Sequence, residues 1–438
     1  MYKINFRQTT CRLITAIFLV LAALMAVRAQ DIRQTELNGG GENVILQWNR
    51  VLAETIRTPG QQPATIFPVR SFSMMHAAMF DAVNSIDGTY KPYLTYIQVG
   101  RNVSKEAAAA QAAHDVLAGL YPTRVAIFDA ELAVSLEGIE FKPARNGATL
   151  GAIVAARMLA NRANDGWNVT PPPYVLPLTP GNWQPVAPST AAGFTHYPGV
   201  TPFAITSNNQ FTPNPPPALM SAEYAADFNE VKEIGSTTST TRTADQTKVA
   251  QLWAGVNTPT SNFLAWNNVA RGLSVSRNLT TIEMARLFAL FNVAVHDSLL
   301  TTFTSKFQYG LWRPTTGIRR ADEDGNPNTA QDVNWSSLIT NPPYPAYAGN
   351  NAAIGTAHST TFALFFGRDD IPYTHTWDGA GGATRSYAGF TAMANEQADS
   401  RIYAGIHYRF DNTAGQSVGR NVANYVFQNI MSPLRCDR

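Results

Sequence analysis

Cysteine is nearly missing: the 438 residues contain two, Cys11 and Cys436. Cys11 lies in the N-terminal leader described below and Cys436 stands two residues from the end of the chain, so the mature protein has one thiol and no internal disulfide. A thiolate zinc site and a cysteine nucleophile are excluded on the same ground, because a single cysteine in a terminal "RCDR" frays. Charge is also sparse, at 15% of residues, and nearly balanced, with 33 basic against 31 acidic side chains and a net charge of +2. That balance gives no bulk attraction to nucleic acid or to a polyanionic surface, so any cationic site must be local. Strand-like alternation is nearly absent, and short internal repeats, H-E-x-x-H, the phosphate loop and the dinucleotide glycine pattern are missing. Beyond the leader, no segment is expected to span a membrane.

What the chain has is apolar content, 45% of residues, and enough length for a large core. Residues 1–29 carry Lys3, Arg7 and Arg12, then an apolar run from Leu13 to about Val27, then small residues. This is the pattern of a signal peptide cleaved after Ala29, which implies a secreted or periplasmic protein; an uncleaved anchor is the alternative. Helical periodicity fills residues 30–164, as in "NVILQWNRVLAETIR" and "KEAAAAQAAHDVLAGLY". Residues 165–217 are too rich in proline for regular structure, and their aromatics (Trp167, Tyr174, Trp183, Phe194, Tyr197) imply a crossing segment packed on the body. Helical patterns return over 218–438, where Thr280 and Glu283 make a capping box ahead of the longest of them. The expectation is an all-α protein of roughly a dozen helices, arranged as two bundles joined by the proline-rich segment.

Three segments carry candidate chemistry. In "KFQYGLWRP", Lys306 and Arg313 are seven residues apart in an aromatic setting, a spacing that returns them to one helical face, with Pro314 expected to end the helix. Such a pair is either a solvated stripe or, at the lip of a core, a pair of cations that needs an anion. In "SRIYAGIHYRFDN", His407 and Asp411 are four apart, so the carboxylate can hold one imidazole tautomer and leave the other nitrogen free; Arg401 lies upstream. In "PPYPAYAGNNAAIGTAHS", prolines and Gly349 lead into a helix starting near Asn350, and amides at a helix start bind oxyanions.

The order of these motifs, K-x6-RP, a proline and glycine turn into a helix, then SR-x5-H-x3-D, resembles the vanadium-dependent haloperoxidases and the type 2 phosphatidic acid phosphatases, an all-helical superfamily with one oxyanion pocket. The looser text of "RTADQTKVAQLWAG", "ARLFALFNVAVHDS" and "RRADEDGNP" resembles the secreted haloperoxidase-type branch. The resemblance implies two helical bundles of the vanadium chloroperoxidase and acid phosphatase type. It implies vanadate as cofactor, with phosphate able to occupy the same site. Lys306, Arg313 and Arg401 would grip the anion's oxygens beside amides of Gly349 and Asn350. His407 would be the vanadium ligand in one branch and the phosphoryl nucleophile in the other, with Asp411 behind it. Where the family reads P-S-G-H, this chain reads Ala348, Gly349, Asn350, Asn351, so the acid–base histidine is replaced by an asparagine that can donate but cannot transfer a proton near neutral pH. His358, seven residues on and so about 10 Å further along the axis, is too distant to substitute without a water chain. His76 and His114 are expected to be bundle residues, and His296 to stand behind the site.

The implied functions are a peroxidase using peroxide with a halide or organic substrate, a phosphatase acting on a phosphate ester, or an oxyanion-binding homologue with weakened or no catalysis. Oligomeric state is left open.

Overall fold

The computed structural model describes residues 42–61, 67–255, 261–377 and 382–434; the N-terminal leader and both cysteines lie outside the described residues. Thirteen α-helices occur among them. The N-terminal group is α1 (Val44–Arg57), α2 (Phe67–Asp87), α3 (Lys105–Leu120), α4 (Val125–Leu136) and α5 (Phe141–Asn161). After the proline-rich segment come α6 (Ala222–Ile234), α7 (Ala244–Ala254), α8 (Ser261–Ser276), α9 (Thr281–Tyr309) and the short α10 (Pro314–Arg319). The last three are α11 (Asn350–Phe366), α12 (Phe390–Tyr403) and α13 (Arg409–Asn429). The starts are set by short polar side chains, which satisfy amides that the helix itself leaves bare. Ser104 caps α3, Ser221 caps α6, and the expected Thr280–Glu283 box closes the start of α9.

One core cluster reaches from Val44 to Met431 and spans both halves, while Trp312 with Tyr408 and Ala404 with Ile406 belong to two separate clusters. What joins its halves is α9, which packs against α2 on behalf of the N-terminal group and against α11 and α13 on behalf of the C-terminal group. By length and apolar content α9 could cross a bilayer, contrary to the expectation from the text, but its apolar stretch is almost wholly buried in the core. Small residues let helices approach closely. A Cβ on Gly415 would meet Gly349 O at 2.0 Å, and one on Gly419 would meet Ala353 O at 2.4 Å, so α13 crosses the start of α11 nearly backbone to backbone.

The proline-rich segment has one turn of 3-10 helix, Tyr197–Gly199, and otherwise lies as a strap on the body. Its Trp183 N–H donates to Gly310 O at 2.7 Å, while Trp312 N–H donates to Gly181 O at 2.8 Å. Further along, Asp297 on α9 accepts three successive amides, those of Phe203, Ala204 and Ile205. The strap therefore clamps the stretch between Lys306 and Arg313. One element had no sequence signal: an antiparallel hairpin of β1 (Tyr373–Thr376) and β2 (Thr384–Tyr387), each only four residues long.

Two helices end earlier than their periodicity suggests. α9 stops at Tyr309, because Gly310 adopts φ +59 as a left-handed cap, and Pro314 opens α10 rather than closing α9. Lys306 and Arg313 consequently do not share a helical face. Likewise α12 stops at Tyr403, and Gly405 turns the chain at φ +75 against Gly235, where a Cβ would lie 2.3 Å from Gly235 O. His407 is thus in the turn before α13, not inside a helix with Arg401.

Candidate active site

The turns bring together what the helices alone would not. Lys306, on the last turn of α9, is fully buried and its ammonium donates to Pro345 O at 3.1 Å and Ala346 O at 2.7 Å. Arg313, the residue before α10, donates from Nε to Tyr344 O at 2.9 Å and from Nη1 to Ile406 O at 2.8 Å. Its Nη1 also lies 3.0 Å from His407 Nε2. The Tyr344 ring faces both cations, 5.3 Å from Lys306 Nζ and 5.1 Å from the Arg313 guanidinium carbon. Arg401, in the last turn of α12, donates from Nη1 to Trp253 O at 3.2 Å.

His407 is buried, and its Nδ1 lies 3.0 Å from Asp411 Oδ2. A guanidinium can only donate, so His407 Nε2 presents a lone pair to Arg313 and the ring proton sits on Nδ1, directed at Asp411. The carboxylate is fixed in turn by the Tyr408 N–H at 3.0 Å. The expected pairing of His407 with Asp411 is there, but across a helix start rather than along one helical face.

Electrostatics follow from burial without counterions. His407 is held well below the usual histidine range, first by burial and then by Arg313, Lys306 and Arg401, so it is neutral at physiological pH. Burial, with Arg313 nearby, also lowers Lys306 well below the ordinary lysine value, against the pull of Asp411. Burial brings Arg313 and Arg401 each to about 10. Asp411 is pushed up to about 7 by burial, with Lys306, the Tyr408 amide and Arg313 opposing. Among the described residues, no carboxylate forms an ion pair with Lys306, Arg313 or Arg401. At the site, the buried guanidinium nitrogens Arg313 Nη2 and Arg401 Nε have no hydrogen-bond acceptor among the described residues. Three cations against one nearby carboxylate, with donors left over, is the donor set for a multiply charged oxyanion such as vanadate or phosphate.

The start of α11 is only partly as expected. The Gly349 amide donates to Asp411 O at 2.7 Å, so it is committed to the fold and is withdrawn from the anion-binding set. Asn350 and Asn351 open the helix and are nearly buried, at 8% and 6% exposure, as is Arg401 at 8%. Asn351 Oδ1 accepts from Gln397 Nε2. His358 stacks on Trp266 with ring centroids 5.2 Å apart, its Nδ1 lies 2.8 Å from Ile354 O, and burial lowers it to about 3. A histidine that stays neutral down to that pH is no proton shuttle. His76 contacts Asn49 and Phe288 in the core, His114 lies between Asp115 and Asp129, and His296 pairs with the strap anchor Asp297. Sequence reasoning did not single out Tyr344, Trp253, Trp266 or Gln397. Trp253 acts through its backbone carbonyl, which leaves no trace in residue type, and Tyr344 through both its carbonyl and its ring; Gln397 reaches Asn351, and Trp266 reaches Gln397, only through tertiary packing.

Known proteins share this framework. The VCPO second helical-bundle domain family matches residues 286–435. Vanadium chloroperoxidase from Curvularia inaequalis is 23% identical over 313 residues, 57% of this chain and 51% of that protein, so the chain spans about half the length of this curated relative. Among solved structures, the first bacterial vanadium-dependent iodoperoxidase superposes with a TM-score of 0.74 at 22% identity, covering 90% of this chain and 97% of that one. A holo-type bacterial vanadium-dependent chloroperoxidase gives a TM-score of 0.66 at 16% identity over 85% of this chain and 93% of that one. The second bundle is thus matched by sequence to the VCPO helical-bundle domain family, and the chain shares the fold of vanadium-dependent haloperoxidases over most of its length.

Proposed function

We propose that the protein is a vanadate-dependent enzyme of the haloperoxidase type, exported by residues 1–29, that uses hydrogen peroxide to oxidise a halide or a small organic molecule. One observation carries this reading: Arg313 meets the accepting nitrogen of a neutral, buried histidine on which buried Lys306 and Arg401 also act, with none of the three cations ion-paired to a carboxylate among the described residues. By this reading those cations and the Asn350 amide hold the oxygens of vanadate, and His407 Nε2 faces its central atom. Vanadate, when bound, supplies the Lewis-acid centre that activates peroxide. The protein's own part is electrostatic and positional. Asp411 holds the Nδ1 proton, which keeps Nε2 a lone-pair donor, and near-complete burial keeps bulk water from screening the cations. Asn351 donates a hydrogen bond but moves no proton, and loss of a general acid–base costs about a hundred- to ten-thousandfold in rate. Turnover is therefore slow for the class.

The same pocket admits a second reading, a phosphatase in which His407 Nε2 attacks phosphorus and the alcohol leaves as its anion, with Asn351 limiting which esters it cleaves. Without a proton donor the leaving group must be a weak base, so aryl phosphates are cleaved and alkyl phosphates are not. The experiment loads the full chain with orthovanadate and follows peroxide-dependent halogenation of a dye and oxidation of an organic sulfide, beside hydrolysis of an aryl phosphate. His407→Ala abolishes whichever activity is present. Equal rates in the native chain and this variant would refute both readings.

A further inference from the structure

Asn351 is held by a chain of hydrogen bonds whose direction is forced at every link. The indole of Trp266 is a donor and nothing else, and its Nε1 lies 2.7 Å from Gln397 Oε1. Gln397 must therefore turn its oxygen to Trp266 and its amino group, Nε2, to Asn351, which receives it on Oδ1. An asparagine whose oxygen faces Gln397 turns its Nδ2 to the other side. Asn351 makes no other side-chain hydrogen bond to the described residues. Trp266 and Gln397 are completely buried, so water does not compete for either link. Gly355 allows the arrangement, since a Cβ there would stand 2.6 Å from Gln397 Oε1. Gln397 itself lies one turn before Arg401 on α12.

We propose that Gln397 is a positioning residue that locks the Asn351 carboxamide with its NH2 group toward the anion, so that the pocket accepts an oxyanion only through an unprotonated, hydrogen-bond-accepting oxygen. This rests on the oxyanion-pocket reading above and deepens it. The histidine of the superfamily can present either a donor or an acceptor as its proton comes and goes; the pair Gln397–Asn351 presents a donor at every pH. Reversing the polarity of Gln397 reverses Asn351. A carboxylate at 397 still accepts from Trp266, but its second oxygen accepts as well, which draws Asn351 Nδ2 away and leaves Oδ1 facing the anion.

The test is calorimetric titration of orthovanadate and of inorganic phosphate into the full chain, in a double-mutant cycle of Gln397→Glu and Asn351→Ala. Loss of a hydrogen bond to a charged group, with an oxygen set against it, weakens anion binding about ten- to a hundredfold in the Gln397→Glu variant. In the Asn351→Ala background the same change weakens binding only a few-fold, through its added charge. An equal loss in both backgrounds would overturn the proposal, because Gln397 would then act by charge or by fold rather than through Asn351. Gln397→Met, neutral and of similar length, runs in the same cycle in case the glutamate disturbs folding: its loss of affinity must also disappear without Asn351. Failure of the native chain to bind either anion sinks the oxyanion-pocket reading itself; native binding without coupling sinks only the role of Gln397.

Discussion

Gly415→Ala is the substitution in which packing and site chemistry are most directly joined. The added methyl would lie 2.0 Å from Gly349 O, 2.9 Å from its carbonyl carbon and 3.2 Å from its Cα. Ordinary contact requires more than about 3 Å, so α13 and the start of α11 must part by roughly 1 Å. No flexible side chain stands in the way to yield instead; the obstacle is backbone. Alanine improves helix propensity by up to about 1 kcal/mol, whereas overpacking costs about 1–3 kcal/mol, which leaves a net loss of up to about 2 kcal/mol. The larger consequence is local. Gly349 begins α11 and its amide bonds Asp411 O, so the displaced backbone carries Asn350 and Asn351 away from His407 and Asp411. A shift of that size stretches hydrogen bonds out of range and costs on the order of a hundredfold in a preorganised site. Thermal melting and orthovanadate calorimetry on Gly415→Ala, beside Gly419→Ala one turn on, measure the two effects separately. Both variants lose stability; Gly415→Ala loses more anion affinity. If Gly415→Ala melts and binds like the native chain, the tight crossing does not position the pocket and the reasoning fails.

Other expectations follow from buried charge and from the leader. His358 keeps its proton off until about pH 3, while the unfolded chain takes it up near 6.5, so native stability falls as pH drops through that window. Relative to His358→Phe, the native chain loses about 2–3 kcal/mol between pH 7 and pH 4.5, read from paired denaturation curves; an unchanged difference would show that this histidine is not held neutral. Phosphate or orthovanadate at a hundred times its dissociation constant stabilises by about 2.7 kcal/mol, and for a chain of this size raises the melting temperature by about 3 °C. An anion-independent melt would contradict a cationic pocket awaiting a guest. Mass spectrometry of the exported protein finds Gln30 at its N-terminus, and an intact leader would point to an anchor instead.

The all-helical fold was legible because its signals are local: periodic apolar positions and polar caps such as Thr280 with Glu283. The charged residues of the pocket were legible because Lys306, Arg313, Arg401, His407 and Asp411 are costly groups to bury and stand out by type. Their geometry was not. The apolar pattern runs straight through Gly310 and Gly405, and a lone glycine is a weak stop until tertiary contacts, with the strap in one case and Gly235 in the other, make it decisive. The reservation of the Gly349 amide by Asp411 O could not be read either, since it depends on two helices meeting that are far apart in sequence.

Lys306 stands at one tip of α9, and the other length of that rod is sheathed by α2 from the opposite half of the molecule. The stretch that matches the family, beginning at residue 286, thus starts inside α9 and takes none of that sheath with it. Excised on its own, it would bare an apolar flank of its central rod to water and lose the strap that pins the loop after Gly310. On the oxyanion reading, the cradle is for this reason a property of the undivided chain, and a truncation that keeps every residue of the pocket would still be expected to abolish it.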